Sequence, residues 1–262
     1  QGKQPEIKYV FGSYEELIQL EEIEAIYLPL PTNIRFEFAL KSLQAGKHIL
    51  VEKPATVDEQ QAATLLNLAK EKNLMIMDGT MWIHHERTKM ISDTLFTQRK
   101  IGEIRHIHCT LTSPIVNPES NIRANKNLEP HGCLGDLGWY CIRWILFLME
   151  FEMPVQIQGF KTPYEEGEEV PFSFNGFMRF SNGSTASFYC SFTGARRQNI
   201  IVSGKNGQLT FENFVTRNTK SSFSIFSQSG EEEKVTVPEC DQTKELVQAY
   251  FNIASKKEFS YD

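Results

Sequence analysis

The sequence predicts an α/β protein in two parts, a parallel sheet layered with helices and then a larger, mainly antiparallel sheet with helices. Three observations carry that expectation. Up to about residue 102, continuous apolar runs alternate with amphipathic stretches, and the order strand, helix, strand, helix, strand implies parallel pairing through right-handed crossovers. Beyond it, seven short β-rich segments follow one another across turn signals such as "SNGS" and "GKNG", a pattern that favours antiparallel pairing. Between the two lies the apolar stretch "DLGWYCIRWILFLMEF", which reads as a helix. The domains are accordingly placed at residues 1–102 and 103–262.

In chain order, "IKYVFG" reads as a strand and "YEELIQL" as a short helix. "IEAIYLPLP" holds a continuous apolar run, the mark of a strand covered on both faces. "NIRFEFALKSLQAGKH" spaces Ile34, Phe38, Leu40 and Leu43 helically and stops at Gly46. "HILVEK" is the next strand. In "TVDEQQAATLLNLAKEKN", Thr56 followed three residues later by Glu59 is a capping signal for another helix. "LMIMDGT" closes the series as a strand. In the second part, "EIRHIHCTLTSPIV" reads as a long strand. Seven further strands are expected in "PVQIQGF", "FSFNGFMRF", "STASFYCSF", "QNIIVSGK", "GQLTFENF", "SSFSIFSQ" and "EKVTVPE". "TKELVQAYFNIASKK" reads as a final helix. The sequon at Asn182 falls between two strand patterns and is read as a hairpin turn. "EEGEE" and "GEEEK" read as solvated loops.

The 262-residue chain carries a formal net charge of −6 and a pI of about 5.6, which disfavours a nucleic-acid partner. No apolar run approaches the ~20 residues of a membrane span. The polar opening "QGKQPEIK" does not read as a signal peptide, so a cytoplasmic protein is expected. The five cysteines, an odd number without a CxxC, read as reduced and mostly buried thiols. His84 with His85, and His106 with His108, form pairs too small for a ligand set, so no metal site is expected.

"HILVEKPAT" places Glu52 and Lys53 directly after a buried strand. In open parallel sheets, ligands bind at the carboxyl ends of the strands, where the loops converge. A lysine there can donate hydrogen bonds to a ligand and shift a neighbouring acid, and Glu52 can hold or balance it. Pro54 makes a turn that a cis bond can serve. An ordinary pair of surface charges in a βα loop is the alternative.

"AIYLPLPTN", "AGKHILVEKPAT", "MDGTMW", "GEIRHIHCTLT", "GCLGDLGWYCIRWILF" and "VSGKNGQLTFEN" together resemble the glucose–fructose oxidoreductase/inositol dehydrogenase family over nearly the whole chain. The resemblance implies a partial Rossmann domain, a doubly wound parallel sheet, followed by an α+β domain with a large open, mainly antiparallel sheet. It implies an NAD(P)-dependent oxidoreductase acting on a sugar, a diol or a related carbonyl compound. Lys53 then lies beside the nicotinamide, and the D-x-G-x-[H/Y] motif, here Asp136 to Tyr140, supplies the acid/base. Tyrosine at its last position resembles the branch with dimeric dihydrodiol dehydrogenase and plant oxidoreductase-like members.

Free tyrosine has a pKa near 10, and an ammonium such as that of Lys53 brings it closer to neutrality. Asp136, four residues before Tyr140, is expected on the same helix face, orienting Lys53 or the substrate hydroxyl. Without the resemblance, Tyr140 reads as a core aromatic. The resemblance further implies that Leu28, Pro29, Leu30, Pro31, Asn33, Glu52, Lys53 and Trp82 contact cofactor, and that Lys53, Trp82, Asp136 and Tyr140 contact substrate. For Trp82 an interface aromatic is the alternative. Relatives place a histidine where Arg35 stands, so contacts at that position are not carried over.

The family's G-x-G-x-x-G loop does not appear, which suggests a truncated record of a longer protein and leaves NAD and NADP equally open. A non-catalytic binding or regulatory subunit is the alternative function, disfavoured by the presence of Lys53, Asp136 and Tyr140. A homodimer is expected through the outer sheet face, because both faces of "SFNGFMRF" and "STASFYCSF" carry large side chains, Phe177, Phe180, Phe188, Tyr189 and Phe192, and helices on one side only would leave part of this surface exposed unless it is paired.

Overall fold

A computed structural model of the chain describes residues 7–163, 170–215, 220–256 and 259. The chain folds as two compact units, Gln1–Gly79 with Tyr250–Asp262, and Thr80–Ala249. The division falls earlier than the expected residue 102, because Trp82, Ile91 and Leu95 pack into the core of the second unit.

The first unit contains α1 (Tyr14–Gln19), β1 (Ala25–Leu28), α2 (Thr32–Gln44), β2 (His48–Val51), α3 (Glu59–Lys72) and β3 (Ile76–Asp78). Its three strands are parallel in the order β1-β2-β3. Ile26, Leu28, Ile49 and Val51 from the strands meet Ala39, Leu43, Leu65 and Ala69 from the helices in one core. The cap of α3 is Asp58, whose carboxylate accepts the Gln61 N–H at 2.8 Å. Thr56, the expected cap, instead donates its hydroxyl to the Asp58 carbonyl. The expected strand "IKYVFG" is not formed: these residues pair with no described strand, and Ile7 and Val10 stand open to solvent.

The second unit opens with α4 (Glu86–Ser92), followed by a π-turn at Asp93–Thr97 and β4 (Ile104–Thr112). A second π-turn, Leu134–Gly138, runs into α5 (Trp139–Leu148). Then come β5 (Gln156–Pro163), β6 (Pro171–Arg179), β7 (Thr185–Ser191), β8 (Arg197–Gly204), β9 (Gly207–Glu212), β10 (Ser221–Ser227) and β11 (Glu232–Val237). The helix α6 (Gln242–Lys256) follows them. All eight strands form one sheet in the order β11-β10-β9-β8-β4-β7-β6-β5. Every pairing is antiparallel except that of β4 with β7. The Asn182 turn is as expected, with its side chain accepting the Ser184 N–H at 2.9 Å beside Gly183 at φ 84°. Glu232 and Glu233 of "GEEEK" belong to β11 rather than to a loop, while "EEGEE" lies outside the described residues.

Strand alternation decides which aromatic residues are inside. Phe188 shares a side with Ala186 and Cys190 and joins Trp144 and Ile145 of α5 in the core. Phe180 and Phe192, just beyond the ends of β6 and β7, are buried there too. Of the five large residues expected across both faces, these three are therefore core. Phe177 is 49% exposed and Tyr189 is half-buried. The outer side otherwise carries polar groups such as His106, His108, Ser187 and Thr185. All five cysteines are free.

Candidate functional site

In the first unit, Glu52 and Lys53 follow β2, the middle strand, and the Lys53–Pro54 peptide is cis. The Glu52 carboxylate accepts the Tyr27 hydroxyl at 2.6 Å and the Lys53 backbone N–H at 3.3 Å. A Cβ on Gly79 would meet that carboxyl at 3.3 Å, so the glycine lets the end of β3 approach it closely. Lys53 is half-buried.

The residue that organises these loops is Arg35, which is 3% exposed. One guanidinium nitrogen donates to the carbonyls of Glu52, at 2.8 Å, and Pro54; the other donates to the carbonyl of Leu30. It thus ties the loop after β1 to the loop after β2. Sequence reading set Arg35 aside because relatives carry histidine there. The available signal was an arginine in the first turn of a helix whose other face is apolar. Among the residues expected to meet cofactor, Leu28 and Leu30 have their side chains in the core, whereas Pro29 and Asn33 are exposed and Pro31 is half-buried.

In the second unit, Asp136 sits within the π-turn, where the Trp139 N–H reaches back to the Leu134 carbonyl. Arg123 Nε donates to Asp136 Oδ2 at 2.8 Å, and the Asp136 side chain is 19% exposed. Arg123 escaped sequence reading because nothing near it in the chain announces a partner thirteen residues away. Gly138 packs tightly: a Cβ there would meet Leu134 Cδ1 at 2.8 Å and Cys190 Sγ at 3.3 Å. The Trp139 indole N–H donates to Thr80 Oγ1 at 3.2 Å. Tyr140 is 5% exposed, and its hydroxyl donates to the Met81 thioether at 3.8 Å.

Trp82 departs from expectation. It is fully buried and stacks on Trp144 with ring centroids 3.9 Å apart, so its ring lies in the core rather than on an accessible site wall. Beneath the π-turn, contact with Cys190 and then burial push the Cys133 thiol well up, and burial alone does the same for Cys109. These thiols are held protonated and inert. His85 Nδ1 accepts the Arg87 N–H at 2.9 Å and caps α4. Among the described residues no group of three or more His, Cys, Asp or Glu is arranged to hold a metal ion.

The profile described as "Oxidoreductase family, NAD-binding Rossmann fold" matches residues 2–80, and "GFO/IDH/MocA C-terminal domain" matches residues 93–210. The dTDP-3,4-didehydro-2,6-dideoxy-alpha-D-glucose 3-reductase of Actinomadura kijaniata is 31% identical over 196 residues, covering 75% of this chain and 58% of that protein. The trans-1,2-dihydrobenzene-1,2-diol dehydrogenase of Sus scrofa is 25% identical over 206 residues, covering 79% of this chain and 60% of that protein. The chain thus spans less than two thirds of the length of either relative. The crystal structure of KijD10, a 3-ketoreductase from Actinomadura kijaniata in complex with NADP and TDP-benzene, superposes with a TM-score of 0.86. That match has 26% identity and covers 95% of this chain and 75% of the other. With one family matched in both units of the chain, and relatives named as reductases and dehydrogenases, the chain belongs to the GFO/IDH/MocA oxidoreductase family.

Proposed function

We propose that the chain serves an NAD(P)-dependent oxidoreductase that moves hydride between a nicotinamide and a secondary alcohol or ketone of a sugar or diol. The observation that carries this reading is Lys53 at the carboxyl end of the central strand β2, on loops pinned by Arg35. The residues present suit the nicotinamide side of such a cofactor. Gly79 leaves room beside Glu52, and Asn33 and Lys53 present polar groups where three parallel strands end. When bound, the cofactor supplies or accepts the hydride.

The chain's own residues handle the proton. In the reducing direction the Tyr140 hydroxyl gives its proton to the carbonyl oxygen; in the oxidising direction the tyrosinate takes it from the alcohol. Asp136 orients the reacting groups, its Oδ2 accepting from Arg123 Nε at 2.8 Å. The names of the two relatives, a keto-sugar reductase and a cyclic diol dehydrogenase, both point to a hydroxyl or carbonyl on a six-membered ring. A second copy of the chain is the proposed protein partner, through the outer sheet face around Phe177 and Tyr189. A monomeric mass in light scattering at micromolar concentration counts against it.

The decisive experiment is NAD(P)H consumption by the intact protein with dTDP-keto-sugars and cyclic diols or diketones, comparing wild type with Lys53→Met. The variant is expected to fold, by circular dichroism, and to lose turnover. Near-wild-type rates in the variant remove Lys53 from the mechanism.

A further inference from the structure

We propose that Arg123 is a positioning residue: its guanidinium anchors the π-turn Leu134–Gly138 and thereby fixes Asp136 for the chemistry at Tyr140. The proposal rests on the oxidoreductase reading of Tyr140 and adds a residue to it. A π-turn holds one residue more than the α-helical ladder accommodates, so its register depends on ties from outside the helix. The structure supplies two such ties at this turn: the Trp139 indole bonds to Thr80, and Arg123 bonds to Asp136. Arg123 makes the one of the two that acts on a carboxylate.

The pair is more than a surface ornament. Exposed ion pairs contribute little, because water solvates both charges and long side chains stay free. Here the Asp136 side chain is 19% exposed and that of Arg123 46%, and the contact is a charge-assisted bond of 2.8 Å. The backbone that carries Arg123 is itself held in place. It lies in the 3₁₀ turn Ile122–Ala124, where its N–H donates to Asn121 Oδ1 at 3.0 Å and the Ala124 N–H donates to the Asn121 carbonyl at 3.0 Å. A guanidinium bonded to a carboxylate that is 19% exposed sets the orientation of that carboxylate and of the turn that carries it.

The test uses the intact protein with NADPH and three variants, R123Q, R123K and D136N, plus the double variant R123Q/D136N. R123Q is expected to lower kcat by about 10-fold or more, the scale of a small misplacement, while KM for NADPH stays within about two-fold. R123K, which keeps the charge but loses the planar fork, should recover only part of the loss. The double variant should be no slower than D136N alone, because Arg123 acts through Asp136. Amide hydrogen exchange supplies the readout that does not need turnover. In R123Q the amides of Gly135 to Tyr140 should exchange faster, with the second half of α5 unchanged. Should R123Q fail to fold, R123K carries both comparisons. Unaltered kcat in an active protein, or unaltered exchange in the π-turn, overturns the proposal. A wild type inactive on every substrate defeats the oxidoreductase reading instead, and the exchange result still decides whether Arg123 anchors the turn.

Discussion

Tyr27 donates its hydroxyl to Glu52 Oε1 at 2.6 Å, joining the exposed side of β1 to the loop that follows β2. The bond is charge-assisted, and it directs one carboxylate oxygen of Glu52 away from the Lys53 backbone, whose N–H goes to the other at 3.3 Å. Glu52 therefore works as a strut between neighbouring strand ends. The two opposite charges that close a buried strand have separate tasks: the glutamate braces the loop that presents the lysine.

Arg35 completes that brace from inside. Replacing it with Met removes the donors to the carbonyls of Leu30, Glu52 and Pro54 at a site where the side chain is 3% exposed. Buried acceptors left without donors cost about 1–3 kcal/mol each, so a loss of about 3 kcal/mol or more is expected in urea unfolding. Arg35→Lys should recover little of it, since one ammonium cannot span the positions served by a planar fork. A loss below about 1 kcal/mol would show that water replaces the guanidinium without penalty.

What was legible in the sequence had local causes. Continuous apolar runs located β1, β2 and β3, and turn residues delimited the hairpins that hold β5 to β11. What was illegible depended on partners distant in the chain. The parallel pairing of β4 with β7 arises because β5 and β6 lie to one side of β7, leaving its other edge to β4. Alternation in "STASFYCSF" fixes two faces but does not say which meets α5, so the sequence left open that Phe188 packs inward. The π-turn around Asp136 has no compositional signature in the sequence. For Trp82 a site wall and an interface aromatic stood equally open, because aromatic residues suit both walls and cores, and the stacking on Trp144 puts the ring in the core.

His108 gives stability a pH dependence. Its Nδ1 bonds Ser187 at 2.9 Å and its Nε2 bonds Thr110 at 3.1 Å. Burial first, then the neighbouring His106, lowers its pKa below the ordinary 6.5. The unfolded chain therefore binds the proton first, so this contribution is intact above about pH 6.5 and is lost as the pH falls below it. His108→Gln should reduce the drop in urea midpoint between about pH 7.5 and about pH 5.5. Because the ring is roughly half buried, a small effect is expected. An identical drop in the variant would assign the dependence to other groups.

Tyr140→Phe tests the proton-transfer role with the smallest change in shape. The ring is 5% exposed and packs in the second core, so phenylalanine keeps the packing and deletes only the hydroxyl bonded to the Met81 thioether. A thioether is a weak acceptor, and losing that bond should leave thermal stability nearly unchanged. Turnover should respond differently. Without a positioned acid/base, kcat is expected to fall by about 10²-fold or more, with cofactor affinity held because the hydroxyl serves the substrate. Steady-state rates and cofactor titration of the intact protein separate the two effects. Weakened cofactor binding at unchanged kcat would identify Tyr140 as a structural residue of the α5 core and would end its assignment as the proton carrier.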